Sequence, residues 1–178
     1  MQILKKITAE ILQQEFGKPM HKIALDLWPD IPDQERDKLV ECVLSEEQKE
    51  LENITTDVSY PGVIDTLKQL SKSVNLYVVS NCHEGYMQVA IDKTHISPYI
   101  KDYEYFGRTE KPKDENIRLV MSRNCIKNAV YVGDTQGDAD ASAKAGIPFI
   151  WASYGFGQVS NYWAKIDQFS DLIKILQK

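Results

Sequence analysis

Ala129-Val-Tyr-Val-Gly-Asp134-Thr-Gln-Gly-Asp138-Ala-Asp-Ala-Ser-Ala-Lys-Ala-Gly146 joins three kinds of sequence without a break. Val130 to Val132 are β-branched and aromatic, as a buried strand requires. The run breaks at Gly133, and two carboxylates follow at Asp134 and Asp138. Small residues then continue to Ala145, as suits a helix lying close against a sheet. Two acids four apart, where a strand gives way to a helix, can both face the crevice beyond the strand's carboxyl end. Open α/β sheets bind their ligands there. Paired hard oxygen donors in that crevice suit Mg²⁺, which combines one or two carboxylates with waters and a substrate phosphate. A solvated acidic turn is the bland alternative, and the rest of the chain weighs against it.

Outward from this stretch, strands alternate with helices. Ile64, Leu67 and Leu70 mark a short amphipathic helix after Tyr60-Pro61-Gly62. Val74 to Val79 read as a strand ending in Ser80-Asn81, and a helix is expected from about Gly85 to His95. A short strand around Tyr103 to Phe106 leads into a polar loop from Arg108 to Lys113. Asp114 to Asn124 carry Ile117, Val120 and Met121 on one helical face. Ile147 to Trp151 form a further strand, Gly155 and Gly157 sit in a loop, and Ser170 is placed as the cap of a last helix. This alternation predicts an α/β fold with a doubly wound parallel sheet. No strand is convincing before residue 60. There the chain reads as helical, from Met1 to about Phe16 with a stop at Gly17, then an apolar patch from Ile23 to Trp28, then a long polar helix from Asp33 to about Asn53. The expected division is residues 1–58 as a small helical unit and 59–178 as the α/β core.

The 178 residues suffice for one domain, or one domain with a small insertion. Hydrophobic residues make up 43% and charged residues 26%, an ordinary soluble composition. A net charge of −5 without a basic cluster argues against nucleic acid and anionic membranes as partners. Cys42, Cys82 and Cys125 are odd in number and widely spaced, which fits reduced thiols and a cytoplasmic location. The N-terminus lacks the apolar core of a signal peptide.

Three polar stations fall at strand ends or just beyond them. They are Ser80-Asn81, a lysine at 111 or 113, and Asp134 with Asp138. In a parallel sheet those ends share one rim, so the stations can converge. Hydroxyl and amide donors, a cation and a metal-seeking acid pair are what phosphoryl transfer demands.

In their order and spacing, Pro61-Gly62-Val63, the strand into Ser80-Asn81, the lysine-bearing loop, Val132-Gly-Asp-Thr-Gln-Gly-Asp138 and Ala145-Gly-Ile-Pro148 resemble the haloacid dehalogenase (HAD) superfamily, specifically its phosphatases with a small helical cap. The resemblance runs from about Ile7 to the C-terminus. It implies a Rossmann-type core under a cap and a Mg²⁺-dependent hydrolase acting on a small phosphorylated metabolite. Ser80 and the Asn81 backbone N–H would hold phosphoryl oxygens. Asp134 would be the main metal ligand, with Asp138 as a second ligand or an outer partner. A lysine would tie nucleophile to phosphate: Lys111-Pro112 has the commoner form of the motif, and Lys113 stands in better register with the following helix.

One family feature is missing. HAD hydrolases begin with a strand ending in Asp-x-Asp, whose first Asp attacks phosphorus and whose second is the general acid/base. No such strand stands in this sequence, and Asp26-Leu-Trp-Pro-Asp30 has the wrong spacing and no buried strand before it. In the family's sheet that strand is the central one, between those ending at Ser80 and Gly133. Without it two edges would keep unpaired N–H and C=O groups, each costing on the order of 1–3 kcal/mol. Met1 to Ile7 in extended form, a partner chain, or a preceding piece of a longer protein could fill the slot. The last is favoured, because Lys5-Lys6 suits a buried strand poorly. The chain as written is therefore expected to be inactive, and the competing expectation is a non-catalytic phosphate- or Mg²⁺-binding or assembly module.

Other features carry less. Asp134 to Asp140 lacks the ligand pattern of a calcium loop. His83-Glu84 lacks a zincin's second histidine, Met87 standing there. Tyr154-Gly-Phe-Gly157 lacks the ending of a P-loop. Cys82 has no histidine at a suggestive spacing and reads as a packing residue. His21 and His95 read as surface or satisfied residues. Trp28, Tyr60, Trp151 and Trp163 are expected in the core or against the cap.

Overall fold

The computed structural model describes residues 7–56 and 58–177. Its N-terminal third is helical: α1 (Ala9–Gln13), α2 (Met20–Leu27) and α3 (Asp33–Asn53). α3 matches its expected span. α1 covers only part of the helix expected from Met1 to Phe16, and the first six residues lie outside the described ones. A turn then brings Gly17 to φ +89°, a conformation that suits glycine.

From α4 (Val63–Leu70) onward the chain alternates. β1 (Leu76–Ser80), α5 (Tyr86–Lys93), β2 (Ile100–Tyr105), α6 (Phe106–Thr109), α7 (Lys113–Arg123), β3 (Tyr131–Gly133), α8 (Gln136–Ala145), β4 (Phe149–Ala152), β5 (Ala164–Ile166) and α9 (Leu172–Leu176) follow in order. Among the described residues every pairing is parallel. β4 shows why such a sheet needs helices on both sides. Ile150 and Ala152 join Leu70, Ile166 and Leu172 on one face, while Phe149 and Trp151 join Ala139 and Val159 on the other. Met87 and Ile91 of α5 pack with Tyr105 of β2, and Val78 of β1 lies against them. Buried polar side chains fix the corners. Ser142 Oγ donates to the carbonyls of Ile147 (2.8 Å) and Pro148 (3.2 Å), joining the end of α8 to the chain entering β4.

Among the described residues the strands form two separate ladders, β1-β2 and β3-β4-β5. β1 and β3 share no backbone ladder, and both are only half-buried, whereas all four residues of β4 are buried. Val130 to Val132 were expected as a buried strand. They are half-buried instead, because β3 has a described neighbour on one side only. The Tyr131 hydroxyl reaches across and donates to the Val79 carbonyl at 2.8 Å, satisfying one acceptor on the edge of β1.

One strand was not expected, and two further expectations are corrected. β5 carries only three residues, too few to stand out by periodicity. Ser170 lies in a 3-10 turn (Phe169–Asp171) and forms no side-chain cap to α9, whose N-cap is Asp171. Trp163 is 61% exposed rather than packed. Among the described residues no helix is long and apolar enough to cross a membrane.

Candidate active site

Asp138 occupies the third position of α8. Thr135 is the N-cap, and its hydroxyl oxygen accepts from the Asp138 N–H at 3.2 Å. Asp138 Oδ2 accepts in return from Thr135 N (3.1 Å), Thr135 Oγ1 (2.8 Å) and Asp134 N (3.2 Å). This is a capping box with aspartate in place of the usual glutamate. Its second oxygen, Oδ1, accepts from Lys113 Nζ at 2.5 Å, and the two side chains are 6% and 11% exposed. Burial opposes ionisation of Asp138, but the neighbouring Lys113 cation and the Thr135 hydrogen bonds outweigh it and hold the carboxyl below its usual value of 3.8. Burial also opposes the charge on Lys113. Tyr131, Asp138 and Asp134 together reverse that effect and raise its pKa.

Lys113 is the first residue of α7, and the loop before it is pinned from inside. The fully buried Asn116 donates to the Lys111 carbonyl at 3.1 Å and accepts from Thr109 Oγ1 at 2.8 Å. Lys111 is aimed elsewhere, with its side chain 53% exposed and Nζ 3.9 Å from Glu115. Of the two candidate lysines, the fold brings Lys113 to the acids and leaves Lys111 outside.

Asp134 lies at the end of β3, close under the loop after β4. Its Oδ2 accepts from the Phe156 N–H at 2.8 Å. A Cβ on Gly155 would lie 2.3 Å from Asp134 Cβ, and one on Gly157 would lie 2.7 Å from the Asp134 carbonyl oxygen. The two glycines are therefore what lets this loop lie on the acid. The remaining Asp134 oxygen has no partner among the described residues.

Ser80 ends β1, and its hydroxyl accepts from the Cys82 N–H at 3.1 Å. Lys113 lies near enough to influence the Cys82 thiol, although burial dominates and raises its pKa. The Asn81 side chain turns toward the helical segment and donates to the Gly17 carbonyl at 2.6 Å, while its Oδ1 is buried without a partner among the described residues. Gly17 also approaches the N-terminus of α8: a Cβ there would lie 3.1 Å from Thr135. Ser80 ends β1, Asp134 follows β3, and the turn at Gly17 touches both Asn81 and Thr135.

This donor set suits Mg²⁺. Asp134 offers one uncommitted hard oxygen, and the ion ordinarily completes such a site with waters and phosphate oxygens. Both Asp138 oxygens are committed to hydrogen bonds, which fits an outer partner better than a direct ligand. No cluster of three or more His, Cys, Asp or Glu able to enclose a metal stands among the described residues.

Sequence reasoning passed over four contributors. Tyr131 stands within the strand run, Asn116 within the helical stretch from Asp114 to Asn124, and Thr135 within the motif between the two acids. The Phe156 N–H is backbone and leaves no mark in sequence. The Thr-x-x-Asp spacing of a capping box was the one usable signal.

Residues 2–152 match the sequence model of the haloacid dehalogenase-like hydrolases, most of the chain and all three stations. The chain belongs to that family. A phosphoglycolate phosphatase of Pseudomonas fluorescens (strain Pf0-1) is 33% identical over 105 residues, 56% of this chain and 38% of the relative. The aligned part thus spans well under half of that curated relative. Among solved structures, a haloacid dehalogenase-like family protein of Streptococcus pneumoniae superposes with a TM-score of 0.82 at 17% identity, covering 97% of this chain and 83% of that one. A HAD-hydrolase of Bacillus subtilis, solved bound to magnesium, gives 0.64 at 18% identity over 97% of this chain and 85% of its own. At such identities the structures support the fold, and the family membership rests on the sequence match.

Proposed function

We propose that this HAD-like chain carries the phosphate seat and metal site of a Mg²⁺-dependent phosphomonoester hydrolase. The seat lies beneath a cap formed by residues 1–58, and the substrate is a small phosphorylated metabolite. The buried Lys113–Asp138 pair at 2.5 Å, adjoining Asp134 at the strand ends, carries this reading. A buried ion pair is a poor device for stability alone, because desolvation offsets its attraction. Holding a lysine charged at the rim where an anion would dock gives the pair a purpose.

In this reading Ser80 Oγ and the Asn81 N–H bind phosphoryl oxygens, and the Lys113 ammonium neutralises charge on them. Asp134 ligates the ion, and Asp138 keeps Lys113 and the Asp134 backbone in place. Mg²⁺ would supply charge neutralisation at phosphorus. The gap between β1 and β3 is where an attacking carboxylate would stand, on a strand paired to both edges. Among the described residues no strand ends in Asp-x-Asp, so the chain as written is expected to bind phosphate and Mg²⁺ without turnover. The name of the Pseudomonas relatives makes a phosphorylated carboxylic acid the first substrate to try.

The test is phosphate release from p-nitrophenyl phosphate and phosphoglycolate with Mg²⁺, by this chain and by one extended with a strand ending in Asp-x-Asp. Turnover by the extended chain, lost on Asp134→Ala, is the expected result. Turnover by the unextended chain would show that the attacking group lies among its own residues. A second reading, a non-catalytic phosphate- or metal-binding or assembly module, draws on the Tyr131 hydroxyl, which already occupies the Val79 carbonyl on the edge of the gap. Mg²⁺ binding by calorimetry, with an extended chain that stays inactive, would favour it.

A further inference from the structure

His83 lies in the loop after β1, outside the proposed phosphate seat and beside α3. Its Nε2 is 3.1 Å from Glu47 Oε2 of α3, and its Nδ1 is 2.7 Å from the Glu84 carbonyl oxygen. Both neighbours are acceptors. A neutral imidazole has one N–H, so one of its nitrogens would face an oxygen lone pair to lone pair, whereas the imidazolium donates to both. We propose that His83 and Glu47 form a proton-operated clasp, which holds α3 on the rim loop while the ring is doubly protonated and lets it go when the ring is neutral.

The surroundings allow such motion. Beside the clasp lies a hollow of about 450 Å³, lined by Glu41, Leu44, Ser45, Gln48, His83 and Glu84, so α3 is not packed tightly on the loop at this point. Farther along, Lys93 of α5 donates to the carbonyls of Glu52 (2.6 Å) and Ile54 (2.7 Å) and anchors the end of α3. That anchor is made to backbone carbonyls rather than to a side-chain acid. Glu47 stands five residues before Glu52, about 7.5 Å along the helix, far enough for α3 to tilt about its held end.

The ring faces Glu47 of α3 and Glu84 of its own loop, and Glu41 of α3 lines the same hollow. Tyr86 of α5 meets it edge-on with centroids 5.6 Å apart. Tyr105 of β2 donates to both Glu84 oxygens, at 3.0 and 2.9 Å, and so keeps that carboxylate turned toward β2. The backbone of Gly107 in α6 packs directly on that of His83. Among these groups the Glu47 hydrogen bond has the largest effect on His83 and raises its pKa above 6.5, against burial. A raised histidine pKa sets the sign: the clasp is fully formed at acid pH and is lost as pH rises through the folded-state value.

Spin labels on the exposed Cys42 of α3 and the exposed Cys125 beyond α7, in a full-length chain carrying Cys82→Ala, report the separation of α3 from the core. Between pH 5.5 and 8.5 the ratio of long to short distances is expected to rise about two- to fivefold, the range for a partly exposed ion pair, with a midpoint above 6.5. Glu47→Gln alters an exposed surface position and His83→Gln keeps a polar ring-sized side chain. Each is expected to give a distribution that ignores pH. A pH-independent distribution in the parent, or the same titration in either variant, overturns the clasp.

Discussion

Lys113 and Asp138 form an ion pair that neither partner can leave cheaply. Lys113→Met would strand Asp138 in a buried site and is expected to cost about 3 kcal/mol, read as a lower urea midpoint at unchanged slope. Adding Asp138→Asn should recover part of that loss, because the second change removes the stranded charge. pH provides an independent check. The Asp138 carboxyl is held below 3.8, so the pair's contribution is complete above that value and disappears as pH falls through the lower folded-state value. The acid limb of the parent's stability curve should therefore flatten in Asp138→Asn. Tyr131→Phe removes the donor to Val79 and is expected to cost about 1 kcal/mol, with no change in secondary structure by circular dichroism.

At the scale of elements, the start of α8 and the loop after β4 together hold Asp134. Thr135→Ala deletes the N-cap and should lower stability by about 1 kcal/mol, measured as a shift in melting temperature. Gly155→Ala acts through space. Its Cβ would lie 2.3 Å from Asp134 Cβ, so the loop must move and withdraw the Phe156 N–H. An overpacking cost of about 1–3 kcal/mol is expected, together with a weaker Mg²⁺ isotherm if Asp134 ligates the ion. Unchanged metal affinity in a folded Gly155→Ala chain would argue that the loop does not orient that carboxylate.

For the whole molecule the telling feature is the seam between β1 and β3. Both flanking strands are half-buried where β4 is buried, and one acceptor on the seam is met by a tyrosine rather than a strand. Supplying an N-terminal strand is expected to raise the melting temperature by about 5 °C or more, as paired edges and newly buried apolar surface add a few kcal/mol. No rise would mean that the seam is already closed by other means. Phosphate release by the extended chain tests a different point, the phosphate seat proposed at the rim.

Sequence and tertiary structure divided the work along physical lines. The alternation of helices and strands, the span of α3 and the acid pair after Gly133 were legible, because periodicity, turn residues and charge spacing are local properties. β5 was not, since three residues hold no period, and the place of Trp163 was misjudged because exposure depends on what lies opposite a side chain. At the site, the sequence by itself put a hydroxyl, an amide, a lysine and two acids at or just beyond strand ends. Only the tertiary structure chose Lys113 over Lys111, committed both oxygens of Asp138 to its neighbours, and pressed Gly155 against Asp134. Those outcomes turn on ångström distances between segments far apart in the chain, and such distances are set by packing.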